Sequence, residues 1–249
     1  MNDLGEYYLR LAAAYVRGAA LLNRAGGCEG DGSSPAQAEQ PLTIPAHLLE
    51  TPLDELPAHD CRALLTLGRA AGLRLHPFKK SHGDLPRVRA VLGFLHGVSF
   101  DTLLDVGSGR GAFLWPLLAD FPKARVTSLD ILAPRIACLT AVRAGGVESL
   151  QPIRADIRYF LAQPGCFDVV TLLEVLEHIP DVAVALSAAA RLARRYVVVS
   201  VPSRPDENPE HLHLLTRERL TALFETAGPF RLRFDAVRDH LLLIATREG

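Results

Sequence analysis

Leu103-Leu104-Asp105-Val106-Gly107-Ser108-Gly109-Arg110-Gly111-Ala112-Phe113 is the stretch on which the fold turns. An apolar, strand-forming run stops at Val106, three alternate glycines turn the chain, and a helix-compatible run begins near residue 111. Glycine suits such a turn because it reaches positive φ cheaply and lets a ligand approach the backbone. Taken alone, the spacing is ambiguous. Gly107-x-Gly109-x-x-Ala112 also satisfies the dinucleotide pattern, in which a helix N-terminus receives a pyrophosphate. Asp105 separates the readings, since a carboxylate just ahead of the first glycine disfavours a phosphate and welcomes a cationic or amine-bearing ligand.

Downstream, short apolar runs alternate with helical stretches. RVTSLD is followed by a helix near 134–144, and LQPIRAD leads on to FDVVTLLE. A helix over 182–194, the run RYVVVSVP and a helix over 217–227 complete the alternation. Near-continuous apolar strands alternating with helices predict an α/β fold, a doubly wound, mostly parallel seven-stranded sheet. The last two runs, around 230–236 and 239–246, are joined by a short turn and predict a C-terminal hairpin that adds an antiparallel strand.

Upstream, Leu4, Tyr8, Leu11, Tyr15, Gly18 and Leu22 fall on one face of a helix over 3–22. Such a helix packs on its own domain, or serves as a substrate lid or dimer seam. Asn23 to Pro41 has the Gly, Ser and Pro content of a flexible linker. Helices are expected at 60–71, stopped by Gly72, and at 85–96, with Pro86 in the first turn. The expected organisation is therefore a helical extension over 1–99, acting as a substrate cap, and a ligand-binding domain over 100–249.

With these elements placed, the sequence resembles the class I S-adenosylmethionine-dependent methyltransferases. Their first motif, acidic-x-Gly-x-Gly-x-Gly, is matched by Asp105, Gly107, Gly109 and Gly111. The resemblance implies S-adenosylmethionine as cofactor. It places Asp130, followed by Ile131, on the ribose hydroxyls and Asp156, followed by Ile157, on the adenine, with Ser108 and Glu174 also in the cofactor site. FDVVTLLEVLEHIPD resembles the family's fourth motif. A nicotinamide-dependent oxidoreductase is the rival enzyme class, and Asp105 and Asp156 argue against it. A non-catalytic protein that keeps the cofactor pocket to regulate a partner is the rival outside enzymes.

The sulfonium already makes the methyl group electrophilic, so the protein has chiefly to align donor and acceptor and exclude water. A hydroxyl acceptor additionally needs a base or a metal. Glu174 and His178, at the tip of the fourth strand, are the catalytic candidates. Glu174, Glu177 and His178 form E-x-x-E-H, and in a helical turn Glu174 would meet the other two at i+3 and i+4. His213 or His211, after the fifth strand, would approach them. Two carboxylates with imidazoles suit Mn, Fe or Zn and, less readily, Mg. This arrangement is similar to that of the metal-dependent small-RNA 3′-terminal 2′-O-methyltransferases and to the ubiquinone-pathway O-methyltransferases. The competing reading has Glu177 and His178 bonding loop backbone and His213 capping a helix.

The chain has 249 residues, 49% of them apolar, with 27 basic and 28 acidic side chains. That composition excludes global disorder and a broadly cationic nucleic-acid binder. A small-molecule acceptor is therefore expected, with RNA second because Arg74, His76, Lys79, Lys80, His82, Arg87 and Arg89 form a basic run. No apolar run is long enough for a membrane span. The N-terminus is acidic where a signal peptide would be basic, and the four cysteines are scattered without zinc-module spacing. The expectation is a cytoplasmic protein with free thiols, no membrane and an unassigned oligomeric state.

Overall fold

β-branched and leucine-rich runs become seven strands in the computed structural model, which describes residues 8–25, 42–79, 84–205 and 207–248. They are β1 (Thr102–Val106), β2 (Arg125–Asp130), β3 (Leu150–Arg154), β4 (Phe167–Leu173), β5 (Ala193–Pro202), β6 (Phe230–Val237) and β7 (His240–Arg247). The sheet order is β3-β2-β1-β4-β5-β7-β6. β1 pairs in parallel with β2 and β4, whereas β7 runs antiparallel between β5 and β6. The chain steps from β1 to β2 on one side and resumes with β4 on the other, so the switch point lies between β1 and β4. Ligands in such sheets bind outside the carboxyl ends of the strands at that point.

The helices are α1 (Leu9–Arg24), α2 (Ala46–Glu50), α3 (Ala58–Ala70), α4 (Pro86–His96) and α5 (Leu114–Asp120), then α6 (Ala133–Ala144), α7 (Val182–Leu192) and α8 (Arg217–Ala227). Among the described residues no helix is long and apolar enough to cross a membrane. Cys61, Cys138 and Cys166 are free, and Cys28 lies outside the described residues, as does most of the expected 23–41 linker.

The chain forms two compact units. The first combines the chain up to Asp84 with Gly109–Pro122 and Leu132–Arg154. In it, α1 is buried from Leu11 through Ala20, wider than the single face its spacing predicts. The reason is that α1 packs against both α3 and α6, and small residues allow the close approach. A Cβ on Gly18 would lie 1.7 Å from the Ala141 carbonyl oxygen, and one on Gly145 would lie 1.8 Å from that of Ala14. Tyr15, Phe78 and Trp115 stack in series, with ring centroids 5.4 and 4.7 Å apart.

The second unit holds Leu85–Ser108, Lys123–Ile131 and Ala155–Gly249. Its core is the apolar middle of β1, β4, β5 and β7, where Val170, Val198 and Leu243 are fully buried. Asp168 at the start of β4 accepts hydrogen bonds from Asp101 N, Thr102 N and Thr102 Oγ1 and pairs with the Arg194 guanidinium. These contacts fasten β4 to β1 and hold the Asp168 carboxyl down at about 2 despite its burial. Asp181 caps α7 by accepting from Val184 N, as expected of Asp at that position.

Candidate cofactor and acceptor site

At the carboxyl end of β1, Asp105 is 2% exposed. Ser108 Oγ donates to its Oδ2 at 2.7 Å and Thr171 Oγ1, from β4, to its Oδ1 at 2.8 Å. Ser108 Oγ also touches Ser128 Oγ of β2, so one hydroxyl network spans three adjacent strands. Burial pushes the Asp105 carboxyl up to about 6 against the pull of those hydroxyls, and Asp130 adds to the rise. A carboxylate so placed gains most from a cation that can neutralise it.

Gly107, Gly109 and Gly111 have φ of 68°, 54° and 82°. A Cβ on Gly107 would fall 2.7 Å from Val175 Cγ2, and one on Gly111 would fall 2.0 Å from Trp115 Nε1. Two of the glycines are thus required by the protein's own packing as well as by backbone conformation. Gly107 N donates to Leu129 O at 2.7 Å and ties the turn to β2.

Asp130 closes β2, buried at 7% exposure, and Ile131 after it is 60% exposed. Asp156 follows β3 and caps a short 3₁₀ turn at Ile157–Tyr159. Its carboxylate is bound by Arg158 through backbone N at 2.9 Å and side-chain Nη2 at 2.6 Å, and Arg158 holds it below the usual carboxylate range. Asp156 is therefore already engaged, and a ligand amine would share it with Arg158. Ile157 is 2% exposed.

At the tip of β4 the chain does not turn helically. Glu174 sits at φ 59°, and the 3₁₀ turn begins only at Leu176. Glu174 is consequently not stacked beneath Glu177 and His178. Its Oε1 accepts from Ser200 Oγ at 2.9 Å, and its Oε2 lies 3.0 Å from His240 Nε2. His213 is also placed elsewhere than expected, with Nε2 against the Ile179 and Pro180 carbonyls at 3.1 and 3.2 Å. The residues brought together are Glu177, His178 and His211, one ligand atom of each lying within 4.8 Å of the others. Glu177 is fully buried, and the two imidazoles meet edge to face at 4.7 Å. His178 Nδ1 faces Glu210 O at 3.0 Å, which leaves Nε2 for other chemistry.

Ser128, Thr171, Ser200 and His240 were not evident from the sequence. They lie inside strands or at the first position of one, where nothing in the local pattern distinguishes a network member from an ordinary strand residue. Lys80 and His82 of the basic run lie outside the described residues.

A glycine turn at the β1–β4 switch point, with acidic groups ending successive strands, defines the class of S-adenosylmethionine-dependent methyltransferase folds. A family model described as "Methyltransferase domain" matches residues 69–228, and the chain belongs to that family. A ubiquinone biosynthesis O-methyltransferase of Albidiferax ferrireducens is 37% identical over 123 residues, 47% of this chain and 46% of the relative. The chain thus spans about half the length of the curated relatives it matches. Among solved structures, a SAM-dependent methyltransferase from Aquifex aeolicus superposes with TM-score 0.56 at 19% identity, covering 68% of this chain and 93% of the other. A magnesium protoporphyrin IX methyltransferase from Synechocystis with bound SAH gives 0.52 at 19%, covering 67% and 84%.

Proposed function

We propose that the protein transfers the methyl group of S-adenosylmethionine to a hydroxyl of a small molecule. The observation that carries this is the buried Asp105 at the end of β1, held by Ser108 and Thr171. It is a carboxylate awaiting a cation, and S-adenosylmethionine carries an ammonium and a sulfonium. In this reading Asp130 takes the ribose hydroxyls and Asp156 the adenine amine. Gly107, Ser108, Gly109 and Gly111 border the cofactor, with the exposed Ile131 beside its ribose and the buried Ile157 beneath the turn that carries Asp156. The likeness to ubiquinone biosynthesis O-methyltransferases favours an oxygen acceptor on a small molecule, and free thiols in the described residues fit a cytoplasmic location.

The first test is calorimetric titration with S-adenosylhomocysteine, for which one site is expected. Labelled methyl transfer to a panel of catechols and to a short RNA follows. Transfer to RNA alone would replace the small-molecule acceptor. Binding without transfer to either, across a broader acceptor panel, would favour a regulatory cofactor-binding protein.

A divalent ion is a second element of this reading, supported by Glu177, His178 and His211. One carboxylate and two imidazoles suit Mn, Fe or Zn better than Mg. When bound, such an ion would make a coordinated hydroxyl more acidic. The chain's own part is to hold the three groups together. His178 is oriented by Glu210 O, and Leu212 N donates to Glu177 O at 2.8 Å, which seats the loop bearing His211 beside the 3₁₀ turn. Glu174 remains the candidate base, held by Ser200 and His240. After chelator treatment, Mn²⁺ titration should reveal submillimolar binding that His211→Ala abolishes. Full activity of the stripped protein would remove the metal from the mechanism.

A further inference from the structure

The first unit holds a cavity of about 1180 Å³, bounded by α1, the 52–58 segment, Cys61 of α3, the end of α5 and residues 146–149. It lies where the chain enters β3. Its walls are apolar, with Leu11, Leu56, Leu118 and Val147 among them. Two guanidinium groups, Arg10 and Arg17, line it one above the other on α1, two turns apart.

Arg17 is 6% exposed. Its terminal nitrogens donate to Thr51 O at 3.0 Å and Leu49 O at 2.7 Å, while its Nε–H is buried without an acceptor. Among the described residues no carboxylate pairs with it. Burial works against its charge, as it does against the thiolate of Cys61, on which the Arg10 and Arg17 charges act in the opposite direction. Asp54 and Glu148 also border the cavity, but both are exposed, so the acids lie at the rim and the unpaired cation lies within. A buried guanidinium without a counter-ion is costly, and an apolar cavity with a few convergent polar groups is the usual form of a small-molecule site.

From this geometry we infer a second ligand site in the first unit, which takes an amphipathic anion. A carboxylate enters toward Arg17, Arg10 and Cys61, and an aliphatic body lies along the leucine walls. The inference is independent of the acceptor and of the metal.

The test uses the full-length protein and dodecanoate below its micellar concentration, followed by calorimetry, with dodecanol and acetate as controls. Saturable one-to-one binding is expected, about tenfold or more tighter for dodecanoate than for dodecanol, the scale of one charge-assisted contact. Acetate should bind immeasurably weakly. Ala58→Trp and Ala119→Trp, at exposed cavity-lining positions that leave the core intact, should each weaken dodecanoate at least about tenfold, and Arg10→Gln should weaken it severalfold. S-adenosylhomocysteine binding should be unchanged by all three and by saturating dodecanoate. Equal affinity for dodecanol, unaltered binding in both tryptophan variants, displacement by S-adenosylhomocysteine or no saturable binding would each overturn the proposal.

Discussion

Asp168 and Asp105 are both buried aspartates, 3% and 2% exposed, on neighbouring parallel strands, yet they are driven in opposite directions. At the entry end of the sheet, Asp168 receives two backbone amides, a hydroxyl and a guanidinium, and its carboxyl falls to about 2. At the exit end, Asp105 receives two hydroxyls and no cation, and rises to about 6. The number and charge of the donors decide the sign, because burial alone raises both. Asp168 is complete within the fold. Asp105 is left in want of positive charge where the sheet receives ligands. The same residue type thus fastens two strands at one end and, in the proposed function, receives the cofactor's ammonium at the other.

The largest expected effect breaks the first half of that contrast. Asp168→Ala strips the acceptor from Asp101 N, Thr102 N and Thr102 Oγ1 and should cost about 3 kcal/mol of stability in urea titration. S-adenosylhomocysteine affinity should be preserved wherever the variant is folded. Next, Asp130→Ala should weaken that ligand by about 1.5–3 kcal/mol, the scale of a lost pair of charge-assisted hydrogen bonds, with little change in stability. An unchanged dissociation constant would remove the ribose from Asp130. Last is Asp105→Asn, which keeps the shape and removes a charge that burial disfavours; at pH 7 it should leave the fold no less stable while weakening S-adenosylhomocysteine about tenfold.

Acid titration sharpens the comparison. Asp168 has its folded value below the ordinary 3.8, so its stabilisation is present above 3.8 and is lost as pH falls through about 2. Asp105 is displaced the other way. Between 3.8 and 6 its folded carboxyl keeps a proton that the unfolded chain has released, so it makes stability decline as pH rises through that window. The stability difference between wild type and Asp105→Asn should therefore vary between pH 4 and 6, and that between wild type and Asp168→Asn between pH 2 and 4. Below about pH 6, S-adenosylhomocysteine should lose up to about tenfold in affinity per unit, because Asp105 must give up its proton to meet the ammonium. A flat affinity profile from pH 5 to 7 would detach the ligand from Asp105.

The sheet and its carboxylates were legible because they repeat: apolar runs recur at helix-length spacing, and the first four carry an acid at or just past their carboxyl ends, Asp105, Asp130, Asp156 and Glu174. α8 begins and ends where its pattern places it, over 217–227. What lay beyond the pattern has identifiable causes. α1 is buried on two sides because Gly18 and Gly145 let two backbones touch, which a single-face hydrophobic count cannot express. Glu174, Glu177 and His178 keep helical spacing in the sequence, but positive φ at Glu174 breaks the turn before it starts. His211 rather than His213 reaches the cluster, because His213 is drawn to the Ile179 and Pro180 carbonyls while Leu212 N on Glu177 O holds His211 beside the 3₁₀ turn. His240 belongs to a strand that is remote in sequence from β4 and enters only through the antiparallel pairing of β7 with β5.

The left-handed backbone at Glu174 bears on how this protein would respond to laboratory evolution. Glycine or asparagine occupies that conformation with less steric penalty than glutamate. A library screened for heat resistance alone would therefore enrich Gly or Asn at position 174 and leave Ser200 and His240 facing a vacated carboxylate. If Glu174 is the proposed base, robust variants would accumulate with that base gone, so any such campaign has to score turnover in the same round as melting.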